Sequence, residues 1–105
     1  VPTATVVVMN PTHYAVALKY DANETPAPLC VAKGLDTLAL KIREVAEAHG
    51  VPVIEDPPLA RALYATVEID GIIPPAHYEA VAKIIGFILN AVRTVAARGV
   101  RSRAL

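Results

Sequence analysis

The chain has 105 residues, ten acidic and ten basic side chains, a formal net charge of zero and one cysteine. That length supports one hydrophobic core and not two. The balanced charge, with no basic stripe, speaks against nucleic acid as a partner. The lone Cys30 excludes an internal disulfide framework and fits a reducing compartment. No stretch reaches the ~18 uncharged apolar residues of a membrane span. The one clearly one-sided segment, "RGVRSRAL" with Arg98, Arg101 and Arg103, reads as a frayed, solvated basic tail over 98–105, leaving 1–97 as the folded domain. The chain enters a strand almost at once, with no starting methionine and no signal-peptide layout, and so reads as a fragment of something longer.

Residues 4–9 and 14–20 are valine-rich, bounded by turn residues, and predict two strands. In "YAVALKY" the alternation sets Tyr14, Val16, Leu18 and Tyr20 on one face and Ala15, Ala17 and Lys19 on the other. "DANETPAP" is a loop by composition, and "LCVA" (29–32) a short third strand. From Leu35 the period changes: Leu35, Leu38, Ile42, Val45 and Ala46 line one helical face, with Arg43 and Glu47 paired on the opposite side. His49-Gly50 followed by Pro52 stops that helix, and His49 suits a cap that compensates the helix dipole. "VPVIE" predicts a fourth strand; Asp56 is an N-cap and Pro57 fits the first turn of a second helix.

"VEIDGIIPP" is either a small hairpin around Asp70-Gly71 or an extended connection, and Pro74-Pro75 favour the connection. A last helix runs from about Pro75 to Ala97. Its apolar residues (Tyr78, Val81, Ile84, Ile85, Phe87, Ile88, Leu89, Val92, Val95) spread over more than one face, beside a narrow polar stripe of Glu79, Lys83, Asn90 and Arg93. His77, in its first turn, is expected to face solvent. The order β-β-β-α-β-α-α gives an α/β domain, a small mixed sheet of about four strands packed by helices.

Between the first two strands lies "MNPTH", residues 9–13. One reading is a proline-containing β-turn in which Asn10 supplies a positive φ and Thr12 and His13 bond the local backbone. The other is covalent. Proline's nitrogen carries no hydrogen, which closes the usual deamidation route. The Asn10 side-chain nitrogen can instead attack its own main-chain carbonyl carbon, closing a succinimide and breaking the Asn10–Pro11 bond. Ring closure requires a side chain held in a near-attack pose, which a strained turn supplies. His13 can move a proton from the attacking nitrogen or to the departing Pro11 nitrogen. The hydroxyl and backbone N–H of Thr12 can position the turn or stabilise the oxyanion.

The four residues "NPTH" after a valine strand resemble the self-cleavage site of the FlhB/YscU/SpaS/EscU family, the export-gate switch proteins of type III secretion. The resemblance continues through "APLCVAKGLDTLALKIREVAEAHGVPVIEDPPLARALY" and "IPPAHYEAVAKIIGFI", covering roughly residues 4–92. "AKG.D..A..IRE" and "PPLARALY" look most like the flagellar branch, the injectisome branch being the alternative. The resemblance implies a parent protein in the bacterial inner membrane whose cytoplasmic domain cleaves itself between Asn10 and Pro11. Asn10 is then the nucleophile-bearing residue, Pro11 the leaving group, and Thr12 and His13 the assisting pair. It implies a single-turnover event, not an enzyme, without a cofactor. The cleaved N-terminal piece stays paired in the sheet, and export changes from rod and hook components to filament components. The implied partners are other export-gate components, a hook-length ruler protein and the exported flagellar substrates.

Arg61 and Tyr64 in "PLARALY" are either a solvated arginine and a packed tyrosine or a docking surface near the cleaved turn, to which Pro28-Leu29 would add an apolar patch. Three histidines and one cysteine show no metal-ligand spacing, and Cys30 suits a small buried residue. Two other function classes compete: a small-molecule-binding α/β domain, for which "AKGLD" is the one candidate phosphate turn, and a purely structural module with an intact Asn10–Pro11 bond.

Overall fold

β1 (Val6–Asn10) and β2 (Tyr14–Lys19) form an antiparallel hairpin, with Val6 opposite Leu18 and Asn10 opposite Tyr14. β3 (Leu29–Leu35) pairs antiparallel with β2, and β4 (Val53–Glu55) lies parallel to β1, giving the sheet order β3-β2-β1-β4. This is the mixed four-strand sheet expected from the pattern. The structure, a computed structural model, describes residues 2–11 and 13–90. Thr12, the far end of the expected last helix and the basic tail lie outside the described residues.

The β-pattern alternates as its side chains require. Tyr14, Val16 and Leu18, with Val6 and Val8, face α2 (Pro57–Thr66) and α3 (78–90); Val7, Met9, Ala15 and Ala17 face α1 (Asp36–Ala48). Val6 to Met9 are fully buried. β3 extends to Leu35 where a strand ending at Ala32 was expected, because Lys33, Gly34 and Leu35 continue the ladder opposite Val16, Ala15 and Tyr14. A register shift between Ala17 and Leu18 leaves Val31 bulged. A glycine is required in this extension. A Cβ on Gly34 would lie 2.5 Å from Cγ of Leu38, which covers that strand.

The helix ends follow their local chemistry. Asp56 caps α2 by accepting the Leu59 N–H at 3.2 Å. α1 ends at Ala48 with His49 as its C-cap, after which Gly50 takes φ +71° and Val51 N–H bonds Ala46 O at 2.8 Å, the left-handed ending that glycine favours. The expected inner face of α1 is corrected: Ala39, Ile42 and Ala46 are buried, while Leu35 and Leu38 are exposed. Ala39, Ile42 and Ala46, not the leucines, pack on the sheet face that carries Val7, Met9, Ala15 and Ala17.

The 67–74 segment is a connection, as the prolines suggested, but it adds one bridge, Ile72 opposite Leu29, with Asp70 at φ +68° making the bend. Pro75–His77 form a short 3-10 turn before α3, where a continuous helix was expected. His77 is half-buried, its Nε2 3.3 Å from Thr66 Oγ1, and does not simply face solvent. α3 buries Val81, Ile85 and Ile88 and leaves Phe87 exposed. Among the described residues no helix is long and apolar enough to cross a membrane.

Candidate functional site: the Asn10–Pro11 turn

The turn stands at the end of the β1-β2 hairpin, between the two places where the chain passes from strand to helix. Its geometry is set by three backbone hydrogen bonds. The His13 N–H donates to Asn10 O at 3.0 Å, closing a four-residue turn with Pro11 in the second position that its fixed φ favours. The Asp56 N–H, at the entry to α2, donates to Met9 O at 2.9 Å. The Asp36 N–H, at the entry to α1, donates to His13 O at 2.9 Å. The carbonyls on both sides of Asn10–Pro11 are thus anchored to separate loops.

One sequence expectation changes here. Asn10 does not supply a positive φ; it is a strand residue paired with Tyr14. The left-handed residue beside the turn is Asp36, at φ +46°, one strand away. That conformation is costly for a residue with a Cβ, and it occurs at the residue whose N–H donates to His13 O. The donor on the Asn10 carbonyl is the backbone N–H of His13; Thr12, also expected in that role, lies outside the described residues. No residue-type signal marks the donors from His13, Asp36 and Asp56, because all three are main-chain groups.

The His13 ring is mostly exposed, with Nδ1 3.9 Å from Asp36 Oδ1, too long for a hydrogen bond and screened by water. It is open to solvent for proton exchange. Asn10 and Pro11 are half-buried. Chemically, the arrangement polarises one carbonyl: the N–H on Asn10 O would meet negative charge developing there if its carbon were attacked.

Tyr64 joins this end of the molecule. Its ring centroid lies 5.1 Å from that of Tyr14 at an interplanar angle of 47°, and Lys33 Nζ sits 4.9 Å from the Tyr64 centroid. Lys33 also donates to Tyr64 O at 3.1 Å and Val67 O at 2.8 Å, satisfying carbonyls at the end of α2. Arg61 is exposed on the same helix. Pro28 and Leu29 do not contribute to a patch at the turn. Leu29 pairs with Lys19, five positions along β2 from Tyr14 and so roughly 17 Å away. Pro28 instead lines a cavity of about 360 Å³ at the opposite end, with Tyr20, Tyr78, Ile85 and Leu89. Cys30 is buried, and desolvation raises its thiol pKa.

A model of the FlhB HrpN YscU SpaS Family matches residues 1–88. The chain belongs to that family, the export-gate proteins of type III secretion. The flagellar biosynthetic protein FlhB of Bacillus subtilis is 52% identical over 88 residues, which are 84% of this chain and 24% of that protein. The chain therefore spans about a quarter of the length of such relatives. The cytoplasmic domain of FlhB from Shewanella putrefaciens is 45% identical, with a TM-score of 0.81 over 84% of this chain and 72% of that one. A C-terminal domain of EscU with an asparagine replaced by alanine is 42% identical, with a TM-score of 0.81 over 83% of this chain and 87% of that one. Other solved EscU domains carry alanine for the proline that follows that asparagine, or for a histidine two positions further, the spacing of Pro11 and His13 from Asn10.

Proposed function

We propose that this chain is the self-cleaving cytoplasmic switch domain of a flagellar export-gate protein. The carrying observation is the His13 N–H on Asn10 O, in a peptide segment anchored by Asp56 on one side and Asp36 on the other. In the reaction, Asn10 Nδ2 bonds to its own carbonyl carbon and the negative charge builds on Asn10 O, opposite that N–H. The bond from this carbon to Pro11 N then breaks. The proton lost by Nδ2 reaches Pro11 N, with the exposed His13 imidazole and water as carriers. The products are a C-terminal succinimide at Asn10 and a secondary amine at Pro11. Each domain reacts once, so the chain is not an enzyme in the turnover sense, and no step needs a cofactor.

After scission β1 has reason to stay. It lies between β2 and β4, and Val6, Val7, Val8 and Met9 are fully buried. At roughly 1.5–3 kcal/mol for each buried side chain, that grip is many times thermal energy. The cut therefore frees the ends of the turn without dispersing the sheet. On this reading the freed turn permits the change from rod and hook substrates to filament substrates, triggered with the ruler protein and made together with other gate components at the cytoplasmic face of the inner membrane. The flagellar assignment is supported by relatives about half identical to this chain.

The test of function uses the full-length parent protein. With Asn10→Ala, cells are expected to keep exporting hook-class proteins and to fail to export filament protein. Normal filament export by that variant would contradict the proposed link between cleavage and switching.

A further inference from the structure

Three observations on the α2 side of the sheet converge on Asn10. Side chains alternate along β1, so Asn10 shares the face of Val6 and Val8, which pack with Leu59, Ala60 and Leu63 of α2. Asn10 stands directly opposite Tyr14, and side chains in such a cross-strand pair project to the same face with Cβ atoms about 4.5–5.5 Å apart. The Tyr14 ring is in turn held by Tyr64, which Lys33 fixes at the end of α2. The carboxamide that must turn back on its own carbonyl therefore has the Tyr14 ring as its neighbour, and Tyr64 decides where that ring lies.

We propose that Tyr64 is a positioning residue for self-cleavage: by packing on Tyr14 it confines the Asn10 side chain to orientations in which Nδ2 approaches its own carbonyl carbon. The proposal rests on the self-cleavage reading above. Tyr64 touches none of the reacting atoms. It acts through its ring, tilted 47° against that of Tyr14, and this half-buried place is a different role from the docking residue that "PLARALY" also suggested. Ring closure is sensitive to placement, because an error of about 1 Å in a reacting pair costs on the order of 100-fold in rate. Removing the Tyr64 ring leaves Tyr14 free to change rotamer and Asn10 free to leave the productive pose.

The experiment follows the chain by intact mass from the moment cell-free synthesis is stopped. Wild type, Asn10→Ala, Tyr64→Ala, Tyr64→Phe, Tyr64→Leu and Val81→Ala are compared, with a thermal melt of each. Val81 is fully buried on the inner side of α3, so its truncation lowers stability while both tyrosine side chains are kept. Expected is cleavage about 10-fold slower or more in Tyr64→Ala and Tyr64→Leu, with Tyr64→Phe and Val81→Ala within about twofold of wild type. If Tyr64→Ala does not fold, the Leu and Phe variants carry the comparison. Wild-type rates in the folded Tyr64→Ala or Tyr64→Leu variants would overturn the positioning role while leaving self-cleavage standing. So would Val81→Ala slowed in proportion to its loss of Tm. A wild-type chain that never splits would instead overturn the self-cleavage reading itself.

Discussion

The two faces of β2 are made of side chains of different size. Toward α1 stand Ala15 and Ala17, beside Val7 and Met9 of β1, and they are met by Ala39, Ile42 and Ala46. Toward α2 and α3 stand Val6, Val8, Val16 and Leu18, met by Leu63, Ile73, Val81 and Ile85. Small residues allow helix and sheet to approach closely, which makes the α1 face intolerant of added volume. The other face is filled by large interdigitating side chains and is intolerant of lost volume. The turn draws on both. From the small-residue side, the start of α1 brings the Asp36 N–H to His13 O. From the large-residue side come Tyr14 and Tyr64, beside the Asn10 side chain. One face anchors the backbone proposed to be cut, and the other surrounds the side chain proposed to cut it.

Opposite substitutions should break the two faces. On the large-residue face, Leu63→Ala leaves a cavity at a fully buried site and is expected to cost about 2–5 kcal/mol in denaturant-induced unfolding. On the small-residue face, the addition Ala39→Leu should cost about 1–3 kcal/mol, since α1 has to move off Ala15 and Ala17. A Leu63→Ala cost below that of Ala39→Leu would reverse the comparison. Asp56→Ala separates side chain from backbone at the α2 entry. It removes the cap on Leu59 N–H and is expected to cost about 1 kcal/mol, while the Asp56 N–H still holds Met9 O and cleavage continues.

The smallest effect is on reactivity. Burial raises the Cys30 thiol pKa, so at pH 8 less of it is thiolate than of a free cysteine, and access is closed as well. Alkylation should be slow in the native chain, should accelerate only at higher pH, and should become fast in denaturant. Rapid native labelling at pH 8 would contradict the packing assigned to β3.

Much of this fold is legible in the sequence because single periodicities decide it. The alternation in "YAVALKY" sorts Tyr14, Val16 and Leu18 from Ala15 and Ala17, and Asp56-Pro57 starts α2 where capping chemistry places it. The misread parts depend on what lies across the sheet. Lys33-Gly34 looks like a turn, yet pairing with β2 carries the strand to Leu35, and Leu38 fills the space a side chain at residue 34 would occupy. Leu35 and Leu38 look like a helix's inner face, yet the small opposing alanines accept Ala39 and Ala46. At the candidate site the residue types of "NPTH" are legible. The donors from His13, Asp36 and Asp56 are not, since main-chain groups leave no trace in residue identity. Pro28 and Leu29 fall at the far end because register, not sequence distance, decides what meets the turn.

The most direct test of the central claim is the intact mass of the purified chain, with native upstream sequence, beside Asn10→Ala. The account predicts two pieces for the wild type, one ending at Asn10 and one beginning at Pro11. The first should appear initially one water lighter than its free acid, as a succinimide requires, and Asn10→Ala should remain whole. A wild-type chain still unbroken after prolonged incubation at neutral pH would contradict it, and so would scission that persists in Asn10→Ala.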